Sequence, residues 1–515
     1  MEAPQGAAPG PDLARLPTVA AGDAVVSAVA VPAITVRRLA PPMPADRWGS
    51  WAATAFVVAI AAALRLLRLD QPRGKLFDEI YYATDAHNLL RHGVEWDEAT
   101  NSAGYVVHPP LGKWLIAIGE QVFGYNELGW RIPSALAGTL AVLILVRAAR
   151  RLFRSTVLGC AAGLLMALDG LQLVLSRLAL LDIFLLLFVL AAFACLIVDR
   201  DLRRLQRLRA LRAGLDRPPL AMPWWRLAAA VLTGCAMGVK WSGVWYALAF
   251  VVLICFWEAG ARRSGGVSRP WRAMMREESR WLLAFGTIAM VVYLATWSGW
   301  LAGDTGWDRH WLESQGRTEP PFLGALENLY HYHRAMLHTS DGISTPHRYQ
   351  SWPWQWLLLG RPVLVQWACA ETCTSTSPMS TVLMLGTPAL WWSFIPALVG
   401  LAWLGISRRD WRAAAIGLGA GAGIVPWMPF QALDRTMFAF YAAPAEPFLI
   451  LGVVYVAGVL IRRSTKAASS LGAVLAGGYV LVVAANFAYF YPIYTGDTIT
   501  YAQWMARMWL GARWI

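Results

Sequence analysis

Charged side chains are scarce in this chain: 15% of its 515 residues, against 57% hydrophobic. An ordinary soluble domain carries about 25% charged residues, so that class is excluded. The apolar residues fall in blocks of roughly 18–25, the length that crosses a hydrocarbon core of about 30 Å. Length therefore counts membrane spans here rather than soluble domains. Acid is in shorter supply than base, with 32 Asp and Glu against 45 Lys and Arg and a formal charge of +13. The arginines sit in short clusters between apolar blocks, as topology signals do, and no nucleic-acid partner is expected. Cysteine is sparse too, with six in all. Cys160, Cys195, Cys235 and Cys255 lie inside apolar segments and read as small buried hydrophobes. Cys369 and Cys373 stand in a polar stretch, where a disulfide and two free thiols are both open readings. No phosphate-cradling glycine loop or dinucleotide fingerprint is present. No basic segment precedes the apolar run Ala24–Val36, so a cleaved signal peptide is not expected.

What the chain does have is a regular alternation of apolar blocks and arginine clusters. Residues 1–47, rich in Ala, Pro and Gly, read as a disordered cytoplasmic leader. Spans are expected at about 51–67 and 132–146, as a hairpin over 157–198, as a second hairpin over 227–257, and at about 281–300, 381–404, 413–429, 436–461 and 470–491. Placing all five arginine clusters (147–154, 200–217, 262–280, 408–412 and 462–466) in the cytoplasm gives one consistent topology. It has about eleven spans, the N-terminus inside and the C-terminus outside, and puts the polar loops 70–131 and 301–380 both outside.

Three cations break this pattern. Arg177, Lys240 and Arg435 each stand alone at an outer hairpin tip, flanked by apolar helix. Ionisable groups at such depth are costly and mark ion, substrate or relay sites. Three at one level suit a phosphate whose lipid tail lies between helices; snorkelling or helix capping is the bland alternative. Asp169 and Asp182 flank Arg177 and read as ion-pair partners or site-lining acids. Just outside the first span, Asp78 and Glu79 stand in Lys75-Leu-Phe-Asp-Glu-Ile-Tyr-Tyr, where a carboxylate can take a proton from an attacking hydroxyl. Downstream, His108-Pro-Pro-Leu-Gly-Lys113 fixes an extended approach to an interfacial helix. His310, His331, His333, His338 and His347 gather in the large loop without a closed zinc ligand set. The 28 tryptophans cluster near span ends, as an interfacial belt does.

Taken in order, Phe77-Asp78-Glu79, His108 to Lys113, Asp169 with Ser176-Arg177 to Asp182, Gly238-Val-Lys240-Trp-Ser-Gly243, His338, and Pro346-His347 to Pro353 resemble the protein O-mannosyltransferase family in its actinobacterial form. The resemblance runs from about residue 50 to the end. It implies an all-α integral membrane GT-C fold over 48–515, with a helical first external loop and an active site at the outer face of the plasma membrane. It implies transfer of mannose from polyprenyl-phosphate mannose to Ser or Thr hydroxyls of secreted or membrane proteins, met during Sec export, with inversion. By resemblance Asp78 is the general base, with Glu79 orienting the acceptor or acting in its place. Arg177 and Lys240 fall in family motifs and suit the carrier phosphate; Arg435 joins them from topology alone. His108, Lys113, Asp169, Asp182, His338 and His347 are supporting residues. No cofactor is required, and a divalent metal is not expected. The loop 301–380 is too short for the β-trefoil domain of eukaryotic members. The competing readings are a lipid-linked sugar transferase acting on a glycolipid or polysaccharide, and a lipid or sugar transporter, against which the absence of an inverted repeat counts.

Overall fold

Hydrocarbon offers the backbone no hydrogen-bond partners, so each long apolar block must satisfy its own amides and carbonyls as a helix. The computed structural model describes residues 30–369, 372–466 and 469–514. The elements up to the large loop are α1 (Ala33–Leu39), α2 (Arg47–Leu66), α3 (Glu79–His92), β1 (Trp96–Asp97), β2 (Ser102–Ala103), α4 (Leu111–Phe123), α5 (Glu127–Phe153), α6 (Thr156–Ala167), α7 (Gly170–Arg177), α8 (Leu181–Arg212), α9 (Trp224–Val239), α10 (Gly243–Ser264) and α11 (Pro270–Ala295). The large loop and the C-terminal part of the chain add α12 (Ser298–Ala302), α13 (Trp311–Ser314), α14 (Leu323–Asp341), α15 (Pro353–Trp356), β3 (Val363–Cys369), β4 (Pro378–Met384), α16 (Pro388–Arg408), α17 (Trp411–Ile424), α18 (Met428–Gln431), α19 (Glu446–Lys466), α20 (Leu471–Thr495) and β5 (Ile499–Thr500).

Among the described residues, nine helices are long and apolar enough to cross a membrane, and the pair α6–α7, bent by 63°, makes ten. They occur in the expected order, the first long apolar hairpin becoming α6–α7 and α8. The remaining expected span falls on α9, which at 16 residues is shorter than the roughly 20 needed for a full crossing. It stops where Lys240 takes up extended geometry. Central and peripheral helices are told apart by burial. The span 439–465 is 78% buried and α8 is 67% buried, whereas α20 is only 17% buried. The first two therefore form the core, and the last turns most of its surface to lipid.

Two expectations are corrected. The leader is not disordered throughout. Residues 1–29 lie outside the described residues, but α1 and the start of α2 fall within 30–47. Leu39 is buried, and the Arg204 guanidinium donates to the Arg38 carbonyl at 3.2 Å, which tethers this segment to α8. The span expected from residue 381 begins instead at Pro388, because Val363–Cys369 and Pro378–Met384 pair as an antiparallel hairpin. A third strand, β5, joins β4 at Met379 and Pro378. Among the described residues this small sheet is the largest β element in a helical fold. Cys369 and Cys373 are joined by a disulfide at its tip.

Candidate active site

The segment between α2 and α3 is gathered by two buried arginines. Arg131 of α5 donates to the carbonyls of Leu69, Pro72 and Gly74 and clasps Glu79 through Nε and Nη2, both at 2.9 Å. Glu79 also accepts from the amides of Leu76 and Ala179, each at 2.9 Å. Arg177 donates to the carbonyls of Leu64, Arg65, Leu67 and Arg68, satisfying the end of α2. Such carbonyls are left without intrahelical partners and need a donor. Phe77 then adopts a left-handed φ of 52°, its ring edge-on to Phe440 at 5.8 Å. The chain is thereby committed before it reaches Asp78.

Asp78 opens α3, and its carboxylate caps no amide. It lies close enough to the Lys240–Asp182 pair for both charges to act on it. Lys240 Nζ donates to Asp182 at 2.8 Å, and its charge also lies 5.7 Å from the Tyr441 ring. Burial pushes the Asp78 carboxyl up to about 6, the Lys240 charge pulling it back and Asp182 adding to the rise.

Beside this group opens a cavity of about 430 Å³ with His108, Asp182, Lys240, Trp241, Arg435 and Tyr441 in its wall. Arg435 donates Nε to the Ser340 carbonyl at 2.9 Å and stacks its guanidinium 5.4 Å from Trp427. Its Nη1 is buried and has no hydrogen-bond partner among the described residues. Burial holds His108 well below the usual imidazole range, with Lys240, Lys113 and Arg435 adding to the effect, so its ring is neutral at pH 7. On the far wall the Trp241 indole donates to the Tyr293 hydroxyl at 2.9 Å, and that hydroxyl meets His333. The remaining wall is apolar, with Leu185, Met237, Val244 and Met290. A wall that combines two cations with apolar side chains fits a phosphate on a hydrocarbon tail.

The structure thus brings together Lys240, Asp182, Arg435 and His108 in the cavity wall, with Asp78 outside that wall but near enough to feel the Lys240 and Asp182 charges. It does not bring Arg177 with them: its donors face the end of α2, and it is absent from the cavity wall. Lys113 is buried in ion pairs with Glu95 and Asp85 that bind the first loop together. Asp169 caps α7 through the Gln172 amide and accepts from the Thr387 amide and the Trp391 indole, a structural knot deep in the bundle. His338 is exposed on α14, and His347 packs against Tyr349 and Phe438. His331 and His333 diverge as helix geometry requires. His331 faces Asp308 at 3.1 Å and stacks on Trp311, whereas His333 reaches the cavity. His333, Tyr293, Trp427 and Tyr441 were not singled out as site residues from sequence. Aromatic and histidine side chains in an apolar pattern carry no mark of the cavity they will share.

The helical membrane bundle and this phosphate-suited cavity, with an uncommitted carboxylate nearby, define a membrane-embedded glycosyltransferase of the GT-C fold. The same fold is seen in the Saccharomyces cerevisiae protein O-mannosyltransferase Pmt1-Pmt2 complex bound to its sugar donor, with a TM-score of 0.72 at 14% identity and 94% of both chains covered. The chain belongs to the polyprenol-phosphate-mannose–protein mannosyltransferase family. The family model described as dolichyl-phosphate-mannose-protein mannosyltransferase matches residues 55–298, and that of the C-terminal four-span region of protein-O-mannosyltransferase matches 325–514. Relatives of the first name include one from Mycobacterium tuberculosis H37Rv, 39% identical over 91% of this chain and 92% of its own length. Another, from Corynebacterium glutamicum, is 32% identical over 92% of this chain and 95% of its own.

Proposed function

We propose that the chain transfers mannose from polyprenyl-phosphate mannose to Ser or Thr hydroxyls of proteins, in one inverting displacement with Asp78 as general base. The observation that carries this reading is the Asp78 carboxylate, free of hydrogen bonds and ion pairs among the described residues, set against Lys240 beside a cavity that also holds Arg435. The acceptor oxygen attacks the anomeric carbon while its proton passes to Asp78. The bond from that carbon to the phosphate oxygen breaks, and polyprenyl phosphate leaves with the electron pair. Its growing charge is offset by Lys240 and by the unpartnered Nη1 of Arg435. A neutral hydroxyl is a weak nucleophile, and a carboxylate poised near 6 suits it, being largely ionised at pH 7 yet basic enough to take a proton. This displacement needs no metal.

The cavity is assigned to the outer face of the plasma membrane, where exported chains supply acceptors. The arginine clusters support this orientation. Arg151 and Arg154 meet Asp201 of α8, and Arg262 meets Glu277 of α11, all at helix ends remote from the cavity. The positive-inside rule places those ends in the cytoplasm. The decisive assay offers radiolabelled polyprenyl-phosphate mannose in proteoliposomes with either a Ser/Thr-rich peptide or a glycolipid acceptor. Label on the peptide hydroxyl, with inverted anomeric configuration, is expected. Label confined to the glycolipid would replace the acceptor, and passage of the donor across the bilayer without transfer would replace the enzyme reading with transport.

A further inference from the structure

The helices that reach the cavity at one end enclose a second pocket at the other. Asp182 and Arg207 both belong to α8, 25 residues apart, or about 38 Å along a straight helix at 1.5 Å per residue. That distance approaches the roughly 40–45 Å of a whole bilayer with its headgroups. The second pocket, of about 250 Å³, therefore lies at headgroup depth on the opposite face.

Six arginines and three glutamates line it, an excess of three positive charges. The acids are already spent. Glu278 pairs with Arg226 at 2.6 Å and with Arg262 at 2.9 Å, Glu258 pairs with the same two arginines, and Glu277 takes Arg262 at 2.7 Å. Arg207 is left over. It is 5% exposed, its Nε and Nη1 have no hydrogen-bond partner among the described residues, and its nearest acid is Glu277 at 3.9 Å. Arg217, whose Nε lies 3.6 Å from Glu277, and Arg276 and Arg280 ring the more open side. A buried guanidinium with unused donors, inside a pocket of net positive charge, calls for an anion.

The surroundings say which kind. Leu220 lines the same pocket and is 81% exposed, and Trp224 and Trp271 expose their rings at the starts of α9 and α11. Exposed Trp at a helix end is the signature of the membrane interface. Pockets of this make, basic and set between transmembrane helices, recognise lipid phosphates. We propose that this pocket binds the phosphate headgroup of an anionic phospholipid, with Arg207 as its inner anchor and Arg217 and Arg276 as its rim.

Native mass spectrometry of the full-length protein, released from nanodiscs of phosphatidylcholine and phosphatidylglycerol in equal parts, tests it. Phosphatidylglycerol should be retained selectively by the wild type, and about tenfold less by the rim variant Arg217→Gln/Arg276→Gln. Both rim side chains are partly or fully exposed, so that variant is expected to stay folded, with circular dichroism as the check; Arg207→Gln should lose the lipid as well. Equal retention of the two lipids, or undiminished phosphatidylglycerol on a folded rim variant, would overturn the proposal. An inorganic phosphate arm separates the two sources of the anion. Thermal stabilisation by millimolar phosphate without selective lipid retention assigns the pocket to a free anion and overturns the lipid reading.

Discussion

Glu79 spends its carboxylate on Arg131 and two backbone amides, while Asp78, one residue earlier, is left beside Lys240 with nothing to hold. Their adjacency hides opposite roles: one carboxylate builds the segment and the other is available to it. An acid raised from its ordinary value to about 6 costs stability once ionised. Between about pH 4 and 6 the native state binds more protons than the unfolded chain, so stability falls as pH rises through that window and stays lower above it. Asp78→Asn should therefore raise thermal stability at pH 7, by an amount on the order of 1–3 kcal/mol, and lose that advantage below pH 4. The same coupling sets a kinetic prediction. Transfer should rise with pH through about 6 as the base ionises. In Asp182→Asn a charge that raises the Asp78 value is gone and Lys240 is freed to lower it further, so that limb should move to lower pH. Rate–pH profiles of the two proteins show the shift or its absence.

At the scale of elements, the turn from α2 to α3 hangs on Arg131 and Arg177. The Arg131–Glu79 pair is fully buried, and breaking a pair of that kind costs about 3–5 kcal/mol. Arg131→Ala and Glu79→Ala should accordingly lower the melting temperature and the folded yield in detergent. Arg177→Ala should also destabilise, since it orphans the carbonyls at the end of α2, yet leave the KM for the lipid donor near wild type in whatever fraction folds. A selective rise in donor KM would return Arg177 to the phosphate site. The sequence could not separate these cases. Arg177, Lys240 and Arg435 break the apolar pattern in the same way, and what distinguishes them is the partner each finds in space. For Arg177 the partners are carbonyls from a helix more than a hundred residues earlier, and backbone acceptors leave no trace in residue identity. The β3–β4 hairpin escaped for a related reason: its runs show no strict alternation, and the apolar end of β4 runs on into the span that follows.

For the whole molecule, the order of the membrane helices was readable because a bilayer imposes a length rule on every span. The bent pair α6–α7 and the short α9 strain that rule, and both end beside Arg177 or Lys240. The interruptions that blur the span count are thus where the fold admits polar side chains to membrane depth. The second pocket, across the same helices, escaped because its arginines read as topology signals.

The proposed displacement depends on Asp78 as the group that takes the acceptor proton. Single-turnover transfer from polyprenyl-phosphate mannose to a Ser/Thr peptide, compared between wild type and folded Asp78→Asn, tests that most directly. A loss of about 100- to 10,000-fold, with donor binding retained, is the predicted result. Transfer at the wild-type rate by Asp78→Asn would contradict it.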